Sequence, residues 1–332
     1  MDVRRVQITG GSSFMITLPK DWANSIGLNK NDTVGVQAQP DGSLLLCPKG
    51  VFPSNKHSTK VIDASHIRSR EFFSRQLVGA YIAGHTTILV KSAEPMSNDV
   101  LATVNDFVQS AIGLEMIEAD DSHVLIANLI EHDAIDTRKI VERMGLLVKN
   151  MIQDVHTAAF SGDHSMIKNM EQKDTEIDRI YWLTFRQYNI YQRDVPAPRK
   201  SGVSTHRMTA CLFMSRVLED LGDLAVGMAR FIRGLKEVDH SGKVSRETYE
   251  ISHKATELLS KVIKAWVDRD IELAEQCIID AQDVTSEAQK ALLVHATSGK
   301  VFAADEMILI NTRRVAQHSK MVAEFTFDVA ME

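Results

Sequence analysis

MGLLVKNMIQDVHTAAFSGD, residues 144–163, aligns without a gap on ISHKATELLSKVIKAWVDRD, residues 251–270. Apolar positions coincide: Met144 with Ile251, Met151 with Leu258, Val155 with Val262 and Phe160 with Val267; Asp163 matches Asp270. RVLEDLGDLAVGMA, 216–229, aligns in turn on INTRRVAQHSKMVA, 310–323. The offset falls from 107 to 94 because VPAPRKSG, 195–202, lengthens the first half. Internal duplication is the economical reading. Around these segments six long amphipathic stretches run at roughly 136–161, 163–193, 204–235, 245–269, 271–298 and 301–331. Breaks fall at Ser161-Gly162-Asp163, VPAPRKSG, HSGK and Ser298-Gly299. Short turns make neighbours antiparallel. Six helices therefore predict two three-helix bundles, about 136–235 and about 245–331, within a helical domain over 133–332.

The rest of the chain is different. Residues 1–50 read as short strands around one helix: RRVQIT and SFMITL flank Gly10-Gly11, KDWANSI follows Pro19 and stops at Gly27, and TVGVQAQ and SLLLC are joined by Pro40-Asp41-Gly42. So small a sheet buries little alone and needs a partner chain. Residues 51–132 read as a small α/β connecting domain, with helices in HIRSREFFSRQLVGAYIAG and SNDVLATVNDFVQSAIG and strands in TTILVKS, LEMIEA and HVLIANLI. The fold class is multi-domain α+β.

The 332 residues carry 44% apolar and 25% charged side chains, an ordinary soluble composition. Cys47, Cys211 and Cys277 form no CxxC pair, which argues against a disulfide framework or a thiolate zinc site. Neither a secretory leader nor a bilayer-spanning run is present, so the expected location is cytoplasmic with no membrane insertion. The net charge is −6, but residues 1–50 hold five Lys/Arg against four Asp/Glu, so any DNA contact must be a local patch on that head.

Asp174 and Asp178 share one helical face, as do Glu219 and Asp223. Counted from the hairpin between Arg193 and Ser204, both pairs lie 17 residues away, so they meet at one level. Gathered carboxylates raise one another's pKa or recruit a hard cation such as magnesium, calcium, manganese or iron. A solvated acidic face is the competing interpretation. Against it, the four equivalent positions in the second half are Ala281, Thr285, Arg313 and Gln317, a joint loss expected of residues that act together.

RVLEDLGDLAVGMA resembles the PhoU family's L-E-R-I-G-D-H-A-x-N-I-A motif through Glu219, Gly222, Asp223 and Ala225. Asp174-Thr-Glu-Ile-Asp178 resembles that family's D/E-x-x-x-D. Asp220, Leu224 and Gly227 depart from the pattern. The resemblance implies two three-helix bundles and a metal site at Asp174, Asp178, Glu219 and Asp223, holding iron, manganese, zinc or magnesium, with no comparable second cluster. RRVQITGGSSFMITLPKDWANSIGLNKNDTVGVQAQPDGSLLLCPK resembles the swapped-hairpin DNA-binding fold of AbrB and MazE in its I-T-L-P-K, G-L-x-x-x-D-x-V and D-G-S-L-L segments. It implies a β-barrel-like head in which two chains pair, and the combination resembles an archaeal arrangement.

Arg4, Arg5 and Lys20 are the expected phosphate contacts, six cations in a dimer, with Ser12 and Ser13 adding hydrogen bonds. The function implied is a homodimeric transcriptional regulator of phosphate uptake, with the transporter's ATPase or a signalling kinase as further partner. The alternative is an interaction protein that docks on phosphate-transport machinery and uses its head only to dimerise. No enzyme is expected: His156, His164 and His206 lack an E-x-x-H partner, and Gly10-Gly11 is a turn with no phosphate-loop lysine.

Overall fold

The computed structural model describes residues 3–10, 13–38, 42–48, 58–65, 67–130, 136–193, 203–239, 243–298 and 303–331. Ser12, Gly11, Pro40, Asp41 and the VPAPRKSG linker lie outside these residues. The chain divides into two compact units, Met1–Lys56 and His57–Glu332.

In the first unit, β1 (Gln7–Thr9) pairs antiparallel with β2 (Ser13–Met15), setting Ile8 opposite Phe14. Helix α1 (Lys20–Ser25) follows Pro19, whose fixed φ suits a helix start, and ends before Gly27 at φ +66°. A second ribbon joins β3 (Val34–Ala38) to β4 (Leu44–Pro48), with Gly42 at φ +82° between them. The hairpins expected from turn chemistry are therefore present. The barrel is not: among the described residues the ribbons remain two separate two-stranded sheets. Two ribbons of one chain are too few strands to close a barrel. None of these described residues is buried, and Val6, Ile8, Phe14, Ile16, Val36 and Leu44 are exposed.

The second unit begins with an edge strand that periodicity does not announce, β5 (Thr59–Asp63), in which only Ile62 is buried. It runs parallel to β6 (Thr87–Lys91) through the crossover helix α2 (Arg70–Ile82). After α3 (Asn98–Ser110), β7 (Leu114–Ala119) and β8 (His123–Asn128) complete a sheet of order β5-β6-β8-β7. Ile62, Ile88, Val90, Val124 and Ile126 pack against Phe73, Leu77, Tyr81 and Phe107 from α2 and α3. Ser69 and Ser97 cap the two helices by accepting from Phe72 N and Val100 N.

The helical body follows as α4 (Thr137–Ser161), α5 (Met170–Arg193), α6 (Thr205–Asp239), α7 (Arg246–Asp268), α8 (Ile271–Thr297) and α9 (Ala303–Ala330), with a 3-10 turn at His164–Ile167. These follow the six amphipathic stretches. The duplication extends to the backbone: Gly162 and Arg269, aligned partners, both end their helices in the left-handed conformation, at φ +80° and +56°. Asp163 and Asp270, the next aligned pair, both cap the element that follows. One apolar core runs through both bundles, with α4 laid on α7. At Gly145 the approach is so close that a Cβ would stand 2.6 Å from Ile263 Cδ1. His156 is buried in this seam, its Nδ1 3.2 Å from Thr256 Oγ1. Among the described residues no helix is long and apolar enough to cross a membrane.

The sheet domain joins the body through α5, where Trp182 packs on the sheet-domain core and Asn189 Nδ2 donates to Ile82 O at 2.9 Å. Arg186 is 1% exposed, and its Nη1 donates to Tyr81 O at 2.6 Å.

Candidate functional site

The acids singled out by spacing come together where α5 meets α6. Gly222 permits it: a Cβ there would stand 2.9 Å from Ile177 Cδ1 and 3.0 Å from Asp174 Oδ1. A larger residue would wedge the helices apart at the level of the carboxylates. Burial pushes Asp174 up to about 6, and the charge of Asp223 adds to it. Burial, then Asp174 and Asp223, push Asp178 up to about 7. Glu219 rises to about 7, mainly through burial, with Arg216 opposing and Asp223 and Asp178 reinforcing. Asp223 thus acts on all three, and Asp178 feels Asp174 while Glu219 feels Asp178, as the matched helix levels require. Asp174 Oδ1 is buried with no hydrogen-bond partner, an orphaned carboxylate oxygen of the kind that a hard cation satisfies.

Spacing did not single out the residues that hold the seam in place. Arg216 lies 3.0 Å from Glu219 and 2.7 Å from Asp220, and its guanidinium carbon is 5.7 Å from the Tyr181 ring centre. The Glu219 contact is an ion pair whose angles are poor for a hydrogen bond, so Oε2 remains unsatisfied. One turn before Asp174, Glu171 takes Arg233 at 2.6 Å and Arg230 at 3.1 Å; Arg233 first, then a backbone hydrogen bond and Arg230, hold its carboxyl down at about 2. The signal for Arg216 was available, since it precedes Glu219 and Asp220 by three and four residues on one helix. Among the described residues no three His, Cys, Asp or Glu are already drawn close enough to hold a metal ion. The seam is an acidic, partly desolvated set of oxygens, and the electrostatics rather than a finished coordination shell mark it.

In the second bundle Ala281 is buried and Thr285 Oγ1 donates to the Ala281 carbonyl at 2.7 Å. Arg313 carries a buried Nε with no partner. In the head, Arg4, Arg5, Ser13 and Lys20 are all exposed; Ser12 lies outside the described residues.

These shifts fix a pH dependence. Asp174, Asp178 and Glu219 each have a folded pKa above the unfolded value, so their ionisation disfavours the fold. Stability contributed by the protonated acids is full below about pH 4 and is lost as pH rises through about 6 to 7. His156 acts in the opposite sense. Burial, with His253 nearby, depresses it to about 3, so the stability of its neutral ring is lost as pH falls from about 6.5. Asp178→Asn isolates the acid contribution. With solvent screening discounted, it is expected to raise unfolding free energy by about 1 to 2 kcal/mol at pH 8 without divalent cation, and hardly at all at pH 4. Urea titration at the two pH values checks this; equal effects at both would remove the coupling.

Comparison with known proteins assigns two segments. Residues 7–53 match the family described as antidote-toxin recognition MazE, bacterial antitoxin. Residues 141–232 match the PhoU domain. Two curated relatives, from two strains of Caulobacter vibrioides, are each described as a phosphate-specific transport system accessory protein PhoU homolog. Each is 33% identical over 92 residues, 28% of this chain and 37% of the relative, so the chain spans a little over a third of their length. The crystal structure of PhoU from Pseudomonas aeruginosa superposes with a TM-score of 0.48 at 20% identity, covering 58% of this chain and 94% of that one.

Proposed function

We propose that this chain, which carries a MazE/AbrB-like N-terminal domain and a PhoU domain in its helical body, is a DNA-binding transcriptional regulator of phosphate uptake that acts in the cytoplasm as a homodimer. One observation carries the reading: no described residue of the head is buried, while its ribbons expose a full set of apolar side chains. A second copy is the partner that supplies the missing strands, and pairing brings two sets of Arg4, Arg5 and Lys20 onto one fold. Neither matched segment belongs to an enzyme family, and no reaction is proposed. The relatives' description as phosphate-specific transport accessory proteins supports a body that reports on that transport, through the transporter's ATPase or a signalling kinase.

Asp174, Asp178, Glu219 and Asp223 would hold the metal, with the orphaned Asp174 oxygen and the raised carboxyls as the fit. Iron, manganese, zinc and magnesium are the candidates. The metal would supply positive charge that neutralises the seam and ties α5 to α6. Protein purified without chelator is expected to contain metal that disappears in an Asp178→Ala, Asp223→Ala double variant. Unchanged content in elemental analysis would move the metal elsewhere.

Fluorescence anisotropy with the protein's own upstream DNA tests the regulator reading. Binding should weaken steeply as salt rises, and Arg4→Ala with Arg5→Ala should flatten that dependence. The head's charge, five cations against four acids over residues 1–50, favours a second reading in which it only dimerises. A dimer that fails to bind the DNA at low salt would select that reading.

A further inference from the structure

A cavity of about 510 Å³ separates the two bundles, walled by α6 on one side and α9 on the other. Met307, Asn311, Arg314 and His318 line it from one face of α9. Asp220, Asp223 and Phe231 line it from α6. The two helices are antiparallel here: the His206 ring meets the Asp328 carbonyl at 3.2 Å, and Phe213 stacks on Phe325 at 5.8 Å between ring centres. Continuing that register sets Asp220 and Asp223 level with His318 and Arg314, and Phe231 level with Met307. An acidic wall thus faces a basic wall, and the other end of the cavity is apolar.

Opposite charges on facing walls usually close into an ion pair. These do not. Asp220 is occupied by Arg216 at 2.7 Å, and among the described residues no carboxylate lies within 4.0 Å of the Arg314 guanidinium. His318 donates Nδ1–H to the Arg314 carbonyl at 2.8 Å, which orients the ring and leaves Nε2 for another contact. The gap between the walls is filled best by something that carries both signs.

We propose that this inter-bundle cleft binds a phosphoryl group together with a divalent cation, the phosphoryl oxygens on Arg314 and His318 and the cation on the Asp223 side. The guanidinium fork matches two phosphoryl oxygens at once, and a bound dianion favours the protonated His318 ring one turn away, whose Nε2–H then adds a third donor. A bare anion would be repelled by Asp223; paired with a divalent cation it is attracted by both walls. The cation half rests on the metal reading above, while the anion half stands on α9 alone. The cavity lies within the size range of small-molecule sites and exceeds a lone phosphate, so its apolar end at Met228, Phe231 and Met307 has room for an organic group.

Calorimetric titration of the full chain with inorganic phosphate and with adenosine monophosphate, each with and without manganese, tests this. Both phosphate affinity and its dependence on Arg314 are read. Manganese is expected to tighten binding at least tenfold, and Arg314→Ala to weaken it at least tenfold with metal content unchanged by elemental analysis. Arg314 is exposed, so its replacement leaves the fold intact, and Arg314→Lys should retain part of the affinity. Tighter binding of the nucleotide would assign the apolar end to an organic group; equal binding would assign free phosphate as ligand. No binding of either anion with manganese present, or affinity indifferent to Arg314, overturns the proposal. Phosphate bound through Arg314 by protein that takes up no metal overturns the paired-ion form and, separately, the metal reading.

Discussion

Phe14→Asp is expected to convert the proposed dimer to monomer and to weaken its proposed DNA binding at least a hundredfold. Phe14 is 78% exposed on β2, directly across from Ile8, itself 69% exposed. In a self-contained head, such a substitution changes stability by no more than about 0.5 kcal/mol. If a second copy covers the ribbon, each chain loses about 1.5–3 kcal/mol of aromatic burial, and the symmetric interface loses it twice. The sum corresponds to a change in dimer dissociation of roughly a hundredfold or more. DNA affinity follows, because one head then offers half the cations and cannot bridge two half-sites. Sedimentation measures the first effect and anisotropy the second. A sedimentation profile identical to wild type would show that the exposed ribbon is not the dimer surface.

Arg186→Ala is expected to cost about 3 kcal/mol in unfolding free energy, whereas Arg186→Met should stay within about 1.5 kcal/mol of wild type. The contrast comes from what the side chain does. It fills the space between α5 and α2, with its guanidinium carbon 4.8 Å from the centre of the Tyr81 ring. Alanine leaves that volume empty. The charge contributes less, because Nε and Nη2 are buried without partners and burial pulls the guanidinium down to about 10. The Tyr81 carbonyl also keeps a second donor, Gly84 N at 3.0 Å, when Arg186 is gone. Methionine restores the packing and removes an ill-satisfied cation. Urea unfolding of both variants decides it: equal losses would mean that the charge, not the volume, holds the sheet domain to the body.

Arg186 also marks where legibility ends. In an amphipathic helix that also carries Arg179 and Arg193, another arginine reads as solvated. Its burial comes from α2, more than a hundred residues earlier. Strand β5 is hidden for a related reason. An edge strand with one buried residue has no alternation to display, and its parallel partner is reached only through a crossover helix. The acidic seam was more accessible. Helical period sets the faces and hairpin counting sets the levels, so Asp174, Asp178, Glu219 and Asp223 could be brought together on paper. The raised pKa values of Asp174, Asp178 and Glu219 required the packed α5–α6 contact.

The cleft on α9 shows the same division within a few residues. Duplication pointed to Arg313 and Gln317 as the counterparts of Glu219 and Asp223. Those positions inherit the relation of helices inside a bundle. Arg314 and His318, one position further, meet the other bundle, and a repeat carries no information about how its two copies dock.

Periodicity, caps and the internal repeat by themselves determined the six long helices seen among the described residues, the two bundles, the hairpins of the head and the acidic seam, because each depends on residues within a turn or a short connection of one another. Only the tertiary structure decided that the bundles share one core, that Arg186 is buried under the sheet domain, that an open charged cavity lies between α6 and α9, and that the described head residues bury nothing in one chain. Those outcomes depend on surfaces far apart in sequence, where side-chain volume and the desolvation of charge are set by what arrives from elsewhere in the fold.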